Sequence, residues 1–389
     1  MRILHICAYT WSIGGPARVI YDHAAVAVVQ GHQIDILSPQ SPDDKSYPAP
    51  DGVRVFPVYR TPPVSRFFRE FSVDLYRFLK AHLHEYDLIH CHGLWHFGSI
   101  APFLLDKRVA KVVTIHGVLD RWAVQHNQWK KTIMDVLMQK RLLERADLIH
   151  LISPDEQDDL LRYLGHRHPR VALIPNGIPT ADFAQLPPRG TFRRQVGLTA
   201  ERPMVLFMSR LHVKKGLDIL LDGFARYARQ HPDVQLILAG PDDSYQATAE
   251  AFIREHQLDN QVKVVGMLTG ETKKAALADA DLFVLPSYSE GFSMAVLEAM
   301  AAGVACLVSD RVGFEQAIRE TNAACLTDTT AEAVAQNLDK VLSDATYRRQ
   351  LAQNGQQLVR QRYDISIVAN QLLAAYASVL APKPQLTHP

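Results

Sequence analysis

Cysteine is scarce in this chain, and the scarcity excludes two fold classes at once. Among 389 residues there are four, and Cys7, Cys91, Cys306 and Cys325 lie in apolar runs without CxxC spacing. Neither a disulfide scaffold nor a thiolate zinc module can be built from them, so they read as small buried hydrophobes in a reducing compartment. An excess of charge of one sign is also missing. The 42 basic and 41 acidic residues leave a formal net charge of +1, which argues against nucleic acid as a partner. No apolar run reaches membrane-spanning length, and "MRILHICAYTW" turns polar too soon for a signal peptide. The expected location is cytoplasmic, with peripheral attachment at the inner face of the membrane as the alternative to weigh. Two phosphate-binding loops are absent as well. Without GxxxxGK[ST] a P-loop NTPase is excluded, and without GxGxxG after the first strand a dinucleotide cofactor has no seat there. No cofactor is expected.

What the chain does contain is a long alternation. Hydrophobic residues make up 47% of it, and its length exceeds one ordinary core. Short β-branched runs alternate with amphipathic helical segments from end to end, the pattern of parallel sheets covered by helices. The first half carries "ILHICAY", "QIDILS", "VRVFPV", "DLIHCHG", "KVVTIHG", "DLIHLIS" and "VALIPNG"; the second carries "PMVLFMS", "VQLILAG", "QVKVVG", "DLFVLPS" and "VACLVSD". Helical periodicity runs over 214–230 and 331–342. "SPDE" predicts a capping box, with Ser153 as cap, Pro154 in the first turn and Glu156 reaching back. Between Pro175 and Pro203 prolines, glycines and polar residues cluster and periodicity is lost, so the domain linker is placed there. The expected fold class is α/β, with two doubly wound Rossmann-like domains facing a central cleft. The first spans 1–185 and is completed by the C-terminal helical segment 365–389; the second spans 186–364.

Four elements carry chemistry. After the first strand, Gly14 and Gly15 precede Pro16, which suits a helix start. Such a junction lets backbone approach an anion, or it is simply a tight turn. In "SYSEGFSMAVLEAMAAG" the turn after a buried strand leads into a helix starting near Phe292 or Ser293. Its free N–H groups suit phosphate oxygens, and Gly291 keeps the approach open. Glu290 sits before this helix, and Glu298 lies about one and a half turns into it. A carboxylate inside so apolar a run needs a ligand, a cation or water, unless its face is solvated. A ribose diol offers two donors to one carboxylate. In "FMSRLHVKKGLDILL" Arg210 and Lys215 flank a loop before a helix, and two cations there can hold a diphosphate without a metal. His116 ends the apolar run "VVTIHG", either as a satisfied structural group or as a group of the cleft.

Taken together, "GG" after the first strand, "IPNGI", "SRLHVKKG" and "EGFSMAVLE" resemble glycosyltransferase family 4. "HGVLDRWAVQHNQWKK" resembles the members that build bacterial surface polysaccharides. The resemblance covers most of the chain. It implies the GT-B fold and a retaining, metal-independent hexosyltransferase that uses a nucleotide-sugar donor, uridine- or guanosine-linked, and a glycan or lipid-linked acceptor. It further implies that Glu290 contacts donor-sugar hydroxyls and that Glu298 binds the ribose. Arg210 and Lys215 would hold the diphosphate with help from backbone at Gly15, Phe292 and Ser293. His116 would sit at the reacting centre. A sugar-nucleotide epimerase, a phosphorylase, or a non-catalytic binding protein on the same fold are the rival readings.

Three further patterns point elsewhere. Asp279 and Asp281 form the DxD spacing of a metal site, but helix-end solvation accounts for them better. "IHCHGLWH" gathers His90, Cys91, His92 and His96; in a strand His90 and His92 face one way and Cys91 the other, so one zinc cannot easily use all three. No metal is expected. "PPVSRFFREFSVDLYRFLKAHLHEY" and "RWAVQHNQWKKTIMDVLMQKRLLER" mix aromatics and cations, which suits an anionic lipid surface or a packed helix with a basic outer face.

Overall fold

Runs rich in Val, Ile and Leu on both alternating faces form strands only where helices cover both sides of a sheet. The computed structural model describes residues 1–7, 15–41, 44, 48–106, 108–120, 138–198 and 202–381, with only the backbone at 16, 66 and 67. In it the chain divides into two compact units, Met1–Gly177 with Ile365–Pro389, and Ile178–Asp364. Each holds one parallel sheet.

The first unit's strands are β1 (Arg2–Cys7), β2 (Gln33–Gln40), β3 (Arg54–Tyr59), β4 (Leu88–His92), β5 (Ala110–Thr114), β6 (Leu148–Leu151) and β7 (Val171–Leu173). They lie in the order β3-β2-β1-β4-β5-β6-β7. One face of this sheet packs Ile3, Cys7, Leu88, Val112 and Leu148 with residues of the helices Gly15–Val29 and Ile365–Leu380. The other buries Leu4, Ile6, Ile89, Cys91, Val113 and Ile149. The side-chain period of two sorts the alternating residues of each strand to these faces.

The second unit holds β8 (Met204–Met208), β9 (Gln235–Ala239), β10 (Val262–Gly266), β11 (Leu282–Leu285), β12 (Cys306–Ser309) and β13 (Cys325–Thr327), in the order β10-β9-β8-β11-β12-β13. Both units are doubly wound. All twelve expected runs form strands, and β13 is an addition that three residues were too few to announce.

Three local expectations are corrected. The 214–230 helix is broken: Val213–Lys215 is a 3-10 turn, Gly216 is left-handed at φ 70°, and the α-helix starts at Leu217. The capping box does not form. Ser153 Oγ finds no partner, and the Glu156 carboxylate accepts from the backbone N–H of Ile152 (2.7 Å) and of Gly117 (2.5 Å) instead. The stretch read as a linker is largely packed. The second unit begins at Ile178, and Phe183, Phe192 and Arg193 are buried in it. Asp279 and Asp281 are the reason. Asp279 accepts from the Arg193 amide at 2.8 Å and Asp281 from the Arg193 guanidinium at 3.0 Å, so these two aspartates anchor the segment rather than face solvent.

Candidate functional site

In the second sheet the chain leaves β8 toward β9 on one side, while β11 adds on the other. Loops that leave neighbouring strands in opposite directions open a crevice at the carboxyl ends, the preferred ligand site of such sheets. The loop after β8 carries Arg210 and Lys215, and the loop after β11 carries Glu290 to Ser293. They are laced together: Tyr288 N–H donates to the Lys214 carbonyl at 3.0 Å, and Lys215 Nζ meets Glu290 Oε2 at 2.5 Å. A Cβ on Gly216 would collide with the Pro286 carbonyl, so only glycine lets the two loops approach this closely. The Glu290 backbone is tied to the next loop, its N–H to the Arg311 carbonyl at 3.0 Å and its carbonyl to the Gly313 N–H at 2.9 Å. Glu290 therefore has a fixed backbone and a carboxylate already aimed at a cation.

The helix beyond it is Met294–Ala301, with Ser293 as an N-cap whose side chain makes no capping bond. Its first-turn amides have no intrahelical acceptor. A Cβ on Gly291 would meet nothing within 4 Å, so packing inside the protein does not require glycine there. Phe292 turns its ring inward onto Phe314 and Tyr363, which leaves its backbone as the part that can face a ligand. Glu298 is buried, and its face is not solvated. The cation it requires is Lys273, whose Nζ lies 2.6 Å from Glu298 Oε1. Arg210 is largely exposed and pairs with Asp243. Lys273, Asp243 and Ser287, whose Oγ lies 3.4 Å from Glu290 Oε2, were not foreseen. Helical periodicity places Lys273 on its helix but cannot say which distant carboxylate it meets.

His116 belongs to the first unit. It stands just past β5 in the left-handed region at φ 52°, followed by Gly117 at φ 68°. Gly117 N–H is the one held by Glu156. The His116 ring stacks on His92, with Nε2 3.0 Å from His92 Nδ1, and His92 Nε2 lies 2.9 Å from His5 Nδ1. Parallel register puts His5 opposite His90 and Cys7 opposite His92, so all three histidines share one sheet face. Burial holds His5 down at about pKa 4 and holds His90, His92 and His116 below the ordinary imidazole value. All are neutral near pH 7.

Nitrogens of His5, His90 and His92 lie within 4.8 Å of one another, a trio of possible metal ligands that the sequence reading missed by leaving out His5. Strand alternation across adjacent β1 and β4 was the signal for it. His90 has little to offer a metal. His150 Nε2 must donate to the Ile174 carbonyl (2.8 Å), so its Nδ1 accepts from Thr114 Oγ1 (2.8 Å). Thr114 in turn accepts from His90 Nε2 (2.6 Å), and His90 Nδ1 accepts from Tyr376 OH (2.5 Å). Both His90 nitrogens are thereby used.

Gly15 opens the first helix, whereas Gly14 lies outside the described residues. Of the aromatic-basic segment 121–145, residues 121–137 also lie outside them. In the other such segment, the rings of Phe68 and Phe71 pack on Phe97 and that of Phe78 on Phe56, so these three rings are used in packing, while Tyr76 is exposed. Among the described residues no helix is long and apolar enough to cross a membrane.

Comparison with known proteins completes the description. The family model "Glycosyltransferase Family 4" matches residues 13–182, and "Glycosyl transferases group 1" matches 188–358. The chain is 29% identical to a phosphatidyl-myo-inositol mannosyltransferase of Mycobacterium tuberculosis, over 97% of each chain. It is 27% identical to an uncharacterized glycosyltransferase of Methanocaldococcus jannaschii, over 96% of this chain and 98% of that one. Among solved structures it is similar to sucrose-phosphate synthase from Thermosynechococcus elongatus, with a TM-score of 0.79 at 22% identity over 97% and 99% of the two chains. It is also similar to Anabaena HepE in complex with UDP and glucose, with a TM-score of 0.78 at 21% identity over 97% and 100%.

Proposed function

The chain belongs to the family 4-type glycosyltransferases of GT-B fold, and from that premise we propose that it is a retaining enzyme moving a hexose from a UDP- or GDP-linked donor to a glycan or lipid-linked acceptor. The second unit takes the donor and the first the acceptor. The carrying observation is the Lys215–Glu290 pair, set across the β8/β11 crevice next to a helix N-terminus.

Breaking the sugar–phosphate bond leaves the electron pair on a diphosphate oxygen and positive charge on the anomeric carbon. Arg210, Lys215 and the first amides of the Met294–Ala301 helix stabilise that leaving group, so its charge is met by the protein's own cations and dipoles. The acceptor oxygen attacks from the face the diphosphate leaves, and the departing oxygen takes the acceptor's proton. Glu290 swaps its lysine contact for sugar hydroxyls, and Glu298 accepts from the ribose. Family resemblance, rather than any contact within either unit, assigns His116 to the reacting centre. Two findings support this reading without deciding it: HepE was solved with UDP and with UDP-glucose, and the mycobacterial relative is named for a phosphatidyl-myo-inositol substrate. A lipid-linked acceptor would bring the enzyme to the inner membrane face as a peripheral protein.

Thermal-shift titration against UDP, GDP and their hexose derivatives selects the donor, since ligand binding raises the melting point by mass action. With that donor, Lys215→Ala should lower kcat by about a hundredfold to a thousandfold, the usual loss for one preorganised donor. Unchanged turnover in Lys215→Ala, Arg210→Ala and Glu290→Ala would remove the site from the second unit. Anomeric configuration of the product, read by NMR, tests retention.

A further inference from the structure

In the second unit one residue spans the turn that carries Lys215. Val213–Lys215 is the 3-10 turn, Gly216 is left-handed, and the helix Leu217–Ala228 follows. Tyr288, on the loop after β11, meets this segment at both ends. Its backbone N–H donates to the Lys214 carbonyl at 3.0 Å, and its hydroxyl donates to Asp218 Oδ2 at 2.6 Å. Between those two points Gly216 lies against the Pro286 carbonyl and Lys215 Nζ reaches Glu290. Asp218 is the second residue of its helix, where the dipole favours a carboxylate. Among the described residues the Tyr288 hydroxyl is the only hydrogen-bond donor to that carboxylate, whose Oδ1 is buried without a partner. Burial, followed by the bond to Asp218, pushes the Tyr288 phenol up to about 12, so it keeps its hydrogen and acts as the donor.

We infer that Tyr288 and Asp218 are positioning residues for Lys215: their hydroxyl–carboxylate bond ties the 214–218 segment to the β11 loop and so places the lysine for the leaving diphosphate. The inference rests on the donor site proposed above for this unit. Lys215 needs such a tie because its stem is flexible. While the Glu290 carboxylate holds Nζ, the stem is restrained from its tip. Once Glu290 turns to sugar hydroxyls that restraint is given up, and the ammonium's place is set by the backbone that carries it. The Lys215 and Gly216 amides donate to the His212 and Val213 carbonyls, each at 2.9 Å, which shapes the turn but does not anchor it to its neighbour. Tyr288 supplies the anchor. The loop it stands on is itself held, through the Glu290 bonds to Arg311 and Gly313, so the tie ends on a fixed base. Stabilisation of a leaving group depends on donors already in place, and an error of about 1 Å is enough to lose much of it.

The test follows release of UDP or GDP from UDP-glucose, UDP-galactose or GDP-mannose, whichever the wild type turns over fastest. Tyr288→Phe keeps the ring and the backbone N–H and removes only the hydroxyl; kcat should fall about tenfold to a hundredfold with donor KM little changed, the effect of a misplaced group. Asp218→Asn keeps an oxygen that can accept from the phenol and should stay close to wild type. The double variant Tyr288→Phe, Asp218→Leu replaces both partners by apolar groups, so it should melt near the wild type and still show the loss in kcat. In a Lys215→Ala background, Tyr288→Phe should cost less than about twofold more, because both changes remove the same interaction. Hydrogen exchange in peptides covering 211–219 should rise in Tyr288→Phe. Unchanged kcat in a folded Tyr288→Phe protein, losses that multiply in the Lys215→Ala background, or unaltered exchange at 211–219 would overturn the inference while Lys215→Ala remains impaired and the donor site stands. If Lys215→Ala itself turns over like the wild type, the donor site fails and the positioning role falls with it.

Discussion

Two carboxylates show how a single residue's surroundings separate binding from stability. Glu298 is buried in an apolar helix and compensated by Lys273 at 2.6 Å. Removing only the lysine leaves a buried charge, so Lys273→Met should destabilise the protein by about 1–3 kcal/mol. Replacing both partners by apolar groups is often close to neutral. The double variant Lys273→Met, Glu298→Leu should therefore regain most of that stability in urea melts while losing nucleotide affinity. Recovery of both would mean Glu298 holds the helix and not the ribose. Glu156 presents the opposite case, because burial pushes its pKa up to about 7 even though two amides donate to it, and Asp159 and Asp155 push it the same way. A carboxyl whose folded pKa lies above its unfolded one favours the native state while protonated and loses that contribution as pH rises through the folded value. Between about pH 5 and pH 8 the wild type should lose stability relative to Glu156→Gln. Parallel pH curves for the two proteins would show that the group is ionised throughout.

Elements were legible in proportion to their length and periodicity. Twelve strands could be read because parallel strands buried on both faces make continuous β-branched runs, and the long helices because a 3.6-residue period needs several turns to appear. The helix Thr191–Gln195 completes barely one turn, so its segment reads as linker; its burial depends on aspartates beyond position 270 that no local pattern connects to Arg193. The site loops were legible for a related reason. "SRLHVKKG" and "SYSEG" follow strands directly, so Arg210, Lys215 and Glu290 could be placed at carboxyl ends, while Lys273, Asp243 and His5 come from elements that only the strand order brings near. At this scale Gly216 is the sharpest test. Its left-handed backbone and its contact with the Pro286 carbonyl leave no room for a Cβ. Gly216→Ala should lower stability by about 1–3 kcal/mol, the range for strained backbone, and should raise donor KM by parting the β8 and β11 loops. A normal melting temperature would show that the loops are not so closely coupled.

Across the whole molecule the two units share a topology and differ in how they should respond to acid. The first buries His5, His23, His90, His92 and His150 around one sheet face, whereas His212, His231 and His256 of the second are not buried. Burial lowers His5 and His150 to about 4 and His23 to about 3, and it depresses His90 and His92 as well. Below its ordinary value near 6.5 each unfolded imidazole binds a proton that the native one refuses. Stability is therefore full above that pH and falls as pH drops toward 4, by about 1.4 kcal/mol per pH unit for each histidine. Glu156, Glu70 and Asp159, whose carboxyls burial raises, work in the other direction, but they are three groups against these five histidines and the likewise depressed His96 and His116. Hydrogen exchange followed by peptide mapping between about pH 7 and pH 5, corrected for intrinsic rates, should show Met1–Gly177 losing protection while Ile178–Asp364 retains it. Should the second unit open first, or both open together, the histidine face would have to be hydrated and chargeable in the folded protein, and the neutral His5–His92–His116 chain could not exist in the form described above.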